Sequence, residues 1–204
     1  MNDHNENLLV DYIVACTNLY GLVPIEKVVK IYNGQNEEPI SLEAAIPFVN
    51  LQVIKEQLEE RFVYVDFDLF VAEAVIELDE RTVLEQLATG KPYYVPGKEE
   101  LLLFLDEQYF QHTPEQERLR QQLRRNFGDS IDIEREVAEL VLNLQISGGD
   151  FTSVLSFFLE GLELPVSEAE RYIPLIIDIA NTTRLWENRG HTPDELVQLI
   201  NSFK

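Results

Sequence analysis

Apolar residues recur every three or four positions along most of the chain, and this spacing predicts a mainly helical protein. In residues 7–20, Leu9, Ile13 and Cys16 fall on one stripe of such a helix, and Gly21 is placed to end it. Similar stripes predict further helices over about 25–32, 42–61 with a break, 80–88, 98–110, 114–126, 131–146, 151–161 and 168–187, and after Pro193.

Short polar motifs predict where several of these helices begin. Thr113–Gln116, Ser167–Glu170 and Thr192–Glu195 each carry Ser or Thr followed three residues later by Glu or Gln, the pattern of a capping box. Ser41 is a further predicted N-cap. Pro47 falls inside an apolar stripe and predicts a break in the helix.

One segment differs from this helical pattern. Residues 62–71, FVYVDFDLFV, are rich in aromatic and β-branched side chains, with Asp66 and Asp68 on either side of Phe67, and they predict a short β-hairpin. Three helices followed by a hairpin are the order of a winged helix-turn-helix, in which Gly21-Leu22-Val23 would supply the short third strand. We therefore predict a mainly α fold. Residues 1–78 form a helical unit with one hairpin, winged-helix-like, packed on a helical bundle of residues 79–204.

Charge restricts the classes of partner. The 204 residues include 37 acidic and 16 basic side chains, a formal net charge of −21, and residues 1–110 hold 21 of the acids and 7 of the bases. A surface this negative repels nucleic acid and anionic lipid, so we expect no direct binding to either. The single cysteine excludes an internal disulfide. The N-terminus lacks the features of a secretory signal, and a soluble cytoplasmic protein is expected.

No catalytic pattern stands out. The three histidines, His4, His112 and His191, have no second histidine or carboxylate at metal-ligand spacing, and the acids at 129–136 do not follow the spacing of a calcium loop. Glycine-rich phosphate loops and a nucleophile elbow are missing from the sequence. We expect no catalytic residues, no metal and no cofactor.

Two basic segments are weak candidates for binding. Arg118, Arg120, Arg124 and Arg125 lie close together in one predicted helix. They suit an acidic partner or a phosphate, but the favoured interpretation is an intramolecular clamp onto the acidic N-terminal half.

The second segment is NTTRLWENRGHTPDEL, residues 181–196, which holds Arg184, Trp186, Arg189 and His191. Arg and Trp are typical anchors of protein interfaces. They are also typical of a helix end that supports a final helix, with Trp186 covering the corner and Gly190 at positive φ.

This segment resembles one in uncharacterised bacterial helical proteins that often continue into a zinc-binding SEC-C tail of the type found in SecA. Residues 91–115, KPYYVPGKEELLLFLDEQYFQHTPE, resemble a second segment of the same group. The resemblance implies shared architecture and no particular activity. Because the present sequence lacks the Cys-rich tail, zinc-dependent partner binding is not implied for it.

These observations favour a non-catalytic, intracellular module for protein interaction or regulation, with another protein as its partner. The first alternative is a nucleic-acid-linked regulator, or an acidic DNA mimic, built on a degenerate winged helix. The second is an enzyme with a carboxylate-only or metal-dependent site. A homodimer is compatible with the aromatic content of 10% and the long apolar helix.

Overall fold

The structure, a computed structural model, describes residues 3–202 and confirms the predicted fold class. The chain is 67% helical and carries a three-stranded antiparallel sheet that includes the hairpin. Its elements in order are α1 (Asp3–Tyr20), β1 (Leu22–Pro24), α2 (Ile25–Gln35), α3 (Leu42–Val49), α4 (Gln52–Glu59), β2 (Val63–Asp66), β3 (Leu69–Ala72), α5 (Glu73–Glu77), α6 (Arg81–Ala88), α7 (Lys98–Leu101), α8 (Pro114–Phe127), α9 (Ile133–Ile146), α10 (Phe151–Gly161), α11 (Ala169–Thr182) and α12 (Pro193–Ser202).

The chain forms two compact units, the first ending at Tyr109 and the second beginning at Phe110. This division falls later than the boundary predicted at residue 78. The reason is that α6 packs on β1, while α7 and the 3-10 turn Leu102–Leu105 pack on α1. Leu101 and Phe104 are buried in the core of the first unit, so residues 79–109 belong to that unit.

Helix α1 is the centre of the first unit. The predicted stripe, including Ile13 and Cys16, is buried, and so are Val10 and Val14 on other faces of the helix. A helix that is apolar on more than one face is stable only when neighbours enclose it. Helix α2, strands β1 and β3, and residues 98–105 supply those neighbours.

The sheet has the strand order β1-β3-β2 with antiparallel pairing throughout. Asp66 faces Leu69 across the hairpin, which leaves Phe67 and Asp68 as a two-residue turn. β3 is the central strand, and its Phe70 is buried beneath the sheet. The predicted hairpin is present, and β1 at Leu22–Pro24 supplies the third strand that was predicted one residue earlier, at Gly21-Leu22-Val23.

In the second unit, helices α8, α9, α10 and α11 surround a separate apolar core. Leu119 and Leu123 of α8 are fully buried in it, together with Leu140 of α9, Phe158 of α10 and Ile176 of α11. Helix α12 packs on α11.

Two of the predicted capping boxes form. Thr113 Oγ1 accepts from the Gln116 amide while Gln116 Oε1 accepts from the Thr113 amide, and Thr192 and Glu195 make the same reciprocal pair. Ser41 also caps α3 as predicted. The box predicted at Ser167 is wrong, because Val166–Glu168 form a 3-10 turn and α11 begins at Ala169 without a side-chain cap.

Three helices differ in length from their predicted ranges. Pro47 does not break α3, which continues to Val49, and the break comes at Asn50 and Leu51 instead. The helix predicted over 98–110 ends at Leu101 and continues as a 3-10 turn to Leu105. Asp106 then accepts a hydrogen bond from the Gln108 amide, a local turn that competes with continued helix. The helix predicted to reach residue 187 ends at Thr182.

Candidate functional site

Residues 181–196 form a tight corner between α11 and α12. After α11 ends, Trp186–Asn188 make a single 3-10 turn, and Arg189 and Gly190 adopt φ of 50° and 79°. The Gly190 amide donates to the Leu185 carbonyl and the Leu185 amide donates to the His191 carbonyl, so the loop closes on itself. Glycine suits this position because positive φ costs it little free energy.

Arg184 holds this corner together through four hydrogen bonds. Its Nη1 donates to the Gly190 carbonyl at 2.9 Å and to Glu195 Oε2 at 3.0 Å, its Nη2 donates to Glu195 Oε1 at 3.3 Å, and its Nε donates to Gln111 Oε1 at 2.8 Å. The planar guanidinium group carries parallel N–H donors, which permit this bidentate contact with the Glu195 carboxylate. Arg184 is therefore committed to the protein itself.

The other predicted interface residues of this segment expose little surface. Trp186 is only 8% exposed, and His191 is buried as well. His191 Nδ1 lies 3.3 Å from Glu195 Oε2, the same carboxylate that Arg184 binds. Arg189 is half-buried and takes the left-handed conformation that ends the turn. This geometry matches the structural interpretation of the segment.

Glu195 makes this corner sensitive to pH. Burial alone would raise the pKa of the Glu195 carboxyl, but the hydrogen bond from the Thr192 amide and the contacts with Arg184 outweigh burial and lower the pKa. A lowered folded-state pKa adds stability above the unfolded-state pKa, and that stability is lost as the pH falls through the folded value. We expect the free energy of unfolding to decrease as the pH is lowered below about 5, and to decrease less in the Glu195→Gln variant than in the wild-type protein. Urea unfolding of both proteins across this range measures the difference, and equal slopes would contradict it.

Three of the four arginines of α8 form ion pairs within the second unit. Arg120 is buried and its Nε donates to Glu134 Oε2 at 2.7 Å, while Arg124 contacts Glu134 and Glu117. Arg118 contacts Glu115 and, at 3.5 Å, Asp178 of α11. Glu134 thus brings Arg120 and Arg124 together. The ion pairs of these three arginines within the second unit are with acids of residues 115–178.

Arg125 differs from its neighbours. It is exposed, and within residues 3–202 it makes no ion pair. A single exposed arginine is ordinary for a protein surface and does not define a binding site.

The turn of the hairpin is an exposed surface that was not among the sites predicted from the sequence. Phe67 is 89% exposed and has φ of 53°. Two-residue hairpin turns with positive φ usually carry Gly, Asn or Asp, because a bulky side chain there costs about 1–2 kcal/mol. The sequence signal was present, since an aromatic residue stands between two aspartates where a glycine or asparagine is expected.

The turn is held firmly from both sides. Asp66 forms an ion pair with Arg81 of α6, and Arg81 also contacts Glu85. On the other side, the Ile25 amide at the start of α2 donates to the Asp68 carbonyl at 2.9 Å. Tyr64 adds a hydrogen bond from its hydroxyl to Glu73 at 2.8 Å. The exposed phenylalanine is therefore presented by an anchored turn.

Helix α4, which leads into the hairpin, has an acidic and partly apolar outer face. Glu56 and Glu59 are exposed, as is Val53 at 65%, and Lys55 is the basic residue of this helix. Ile54 and Leu58 point to the core and hold the helix in place.

Groups suited to chemistry are scarce in the described part of the chain. Residues 3–202 contain no cluster of three or more His, Cys, Asp or Glu side chains arranged to hold a metal ion. Cys16 is fully buried, and burial raises the pKa of its thiol, so it is not poised as a nucleophile. In the same residues no helix combines the length and apolar character needed to span a membrane.

Comparison with protein families, with curated proteins and with solved structures finds no match to this chain.

Proposed function

We propose that this protein is a non-catalytic protein-interaction module, and that its first unit is a winged helix adapted to bind another protein. Helix α1, strand β1, helices α2 to α4 and the β2–β3 hairpin follow the element order of a winged helix, with two short helices, α3 and α4, where a winged helix has one. The strand order β1-β3-β2 agrees with that topology. In such a fold the helix before the hairpin is the one that reads DNA, and the hairpin turn is the wing.

The observation that carries the proposal is the chemistry of these two elements. A DNA-reading surface needs Lys and Arg to displace phosphate counterions. Here α4 exposes Glu56 and Glu59, and the wing carries Asp66 and Asp68 around an exposed Phe67. Carboxylates on both elements oppose DNA binding and favour a partner with positive charge.

A charge reversal on α4 tests this proposal. We expect Glu56→Lys combined with Glu59→Lys to reduce capture of the partner by the tagged full chain about tenfold or more, because like charges would then face each other. The matched control is Glu160→Lys with Glu170→Lys, which makes the same change in net charge on exposed acids of the second unit. Equal capture by both double variants would contradict the proposal.

The acidic surface also supports a second candidate function, that of a DNA mimic. A mimic would occupy the DNA site of a basic protein with the carboxylates of α4 and the wing. Adding duplex DNA to the captured complex separates the two functions, because DNA would displace a mimic from its partner and leave other complexes intact. A gel shift of labelled duplex with the purified chain at low salt completes the test, and a shift there would overturn both.

A further inference from the structure

We infer that the wing is a rigid apolar prong, with Phe67 as its tip, that inserts into an apolar pocket with a basic rim on a partner protein. This inference rests on the proposed function and identifies the surface and the kind of partner that would carry it out.

The conformation of Phe67 is the first support. The residue is 89% exposed and stands at positive φ, so the fold gains neither buried area nor a favourable backbone conformation from an aromatic side chain there. Phe62 also has positive φ, but it lies in the turn between α4 and β2, and its carbonyl accepts from the Glu73 amide. A position that combines a strained backbone with a highly exposed aromatic side chain is typical of a site selected for binding.

The anchoring of the turn is the second support. The Arg81–Asp66 ion pair and the bond from the Ile25 amide to the Asp68 carbonyl restrain the turn on both sides. A restrained aromatic side chain loses little conformational entropy when it binds, and large rigid aromatics in pockets supply much of the affinity at protein interfaces.

The first unit exposes further apolar side chains outside the turn. Helix α4, which contacts strand β2 of the hairpin, exposes Val53, and Leu51 just before this helix is exposed as well.

The charge around Phe67 distinguishes between two possible binding partners, a second copy of this chain and a basic protein. Asp68 is exposed directly beside the tip, and helix α4, which contacts strand β2 of the hairpin, exposes Glu56 and Glu59. A second copy of this chain would bring an equally acidic unit against them, since residues 1–110 hold 21 acids and 7 bases. Like charges facing each other oppose that contact, whereas a rim of Lys and Arg around an apolar pocket complements it.

The test is photo-crosslinking inside the native host cells. The full chain is expressed there with the photoreactive analogue p-benzoylphenylalanine in place of Phe67. The same analogue in place of Phe157, which is 60% exposed in the second unit, is the matched control. We expect a protein adduct from position 67 whose crosslinked peptide lies among Lys and Arg residues. An adduct with a second copy, with nucleic acid or with an acidic segment would overturn the inference. Protein adducts from position 157 but not from position 67 would also overturn this inference, while the proposed function would remain supported. If neither position gives a protein adduct, the result counts against this inference and against the proposed function.

The purified partner then separates binding from folding. Phe67→Asn removes the aromatic tip and places at positive φ a residue that tolerates it. We expect binding to weaken about tenfold or more while the melting temperature stays equal or rises. Phe157→Asn should leave binding unchanged. A fall in melting temperature with unchanged binding would show that Phe67 serves the fold, and would overturn the inference.

Discussion

Replacing Arg184 by alanine is expected to lower the free energy of unfolding of the second unit by about 3 kcal/mol. The substitution leaves the half-buried carboxylate of Glu195 without its cation and removes the donors to Gln111 and to the Gly190 carbonyl. Loss of one partner from a buried pair costs about 3–5 kcal/mol, and the partial exposure of Glu195 places this case at the lower end. Urea unfolding followed by the fluorescence of Trp186, the single tryptophan, measures the second unit directly.

Arg125→Ala is the matched control for this measurement. Arg125 is an exposed arginine of the same unit without an ion pair among the described residues, so we expect a change within about 0.5 kcal/mol. A similar loss in both variants would contradict the structural role given to Arg184.

The second large effect is expected in the hairpin, where Phe70→Ala should cost about 3–5 kcal/mol. Phe70 lies on the central strand and is 1% exposed, so its removal leaves a cavity in the core of the first unit. Phe67→Ala, three residues earlier, is the matched control and should change stability by less than about 0.5 kcal/mol. Far-UV circular dichroism during urea unfolding follows both variants. Equal losses would show that the two phenylalanines have similar environments and would contradict the structure.

Local features of the fold were predictable because their causes lie within a few residues. The boxes at Thr113 and Thr192 and the cap at Ser41 form as predicted, since each needs only a side chain and an amide three residues apart. The hairpin follows equally from the alternation and composition of residues 62–71.

The errors arose where a contact with another element decides the outcome. Ser167 has the pattern of a cap, but the chain forms a 3-10 turn there. The apolar run at 98–110 was long enough for one helix, yet the Asn18 side chain of α1 donates to the Phe104 carbonyl, and this remote contact acts together with the local turn at Asp106 to end the helix in a 3-10 turn. Because the partner residue is 86 positions away, spacing within the run could not predict it.

The candidate site shows the same limit. Arg184 and Trp186 were chosen for their residue type, and the type is common to interfaces and to buried corners. Burial, which depends on the whole unit, assigns them to the corner. Conversely, Phe67 and Phe70 have the same side chain within one short hairpin, and the register of β3 against its neighbours determines that one is exposed and the other buried.

The sequence by itself determined the helical class, the hairpin, the principal caps and the acidic charge, since these depend on side-chain type and on hydrogen bonds between near neighbours. Only the tertiary structure decided that the first unit extends to Tyr109, that Arg184 is committed to Glu195, and that Phe67 projects from an anchored turn. These properties come from contacts between residues far apart in the chain, which no local pattern encodes.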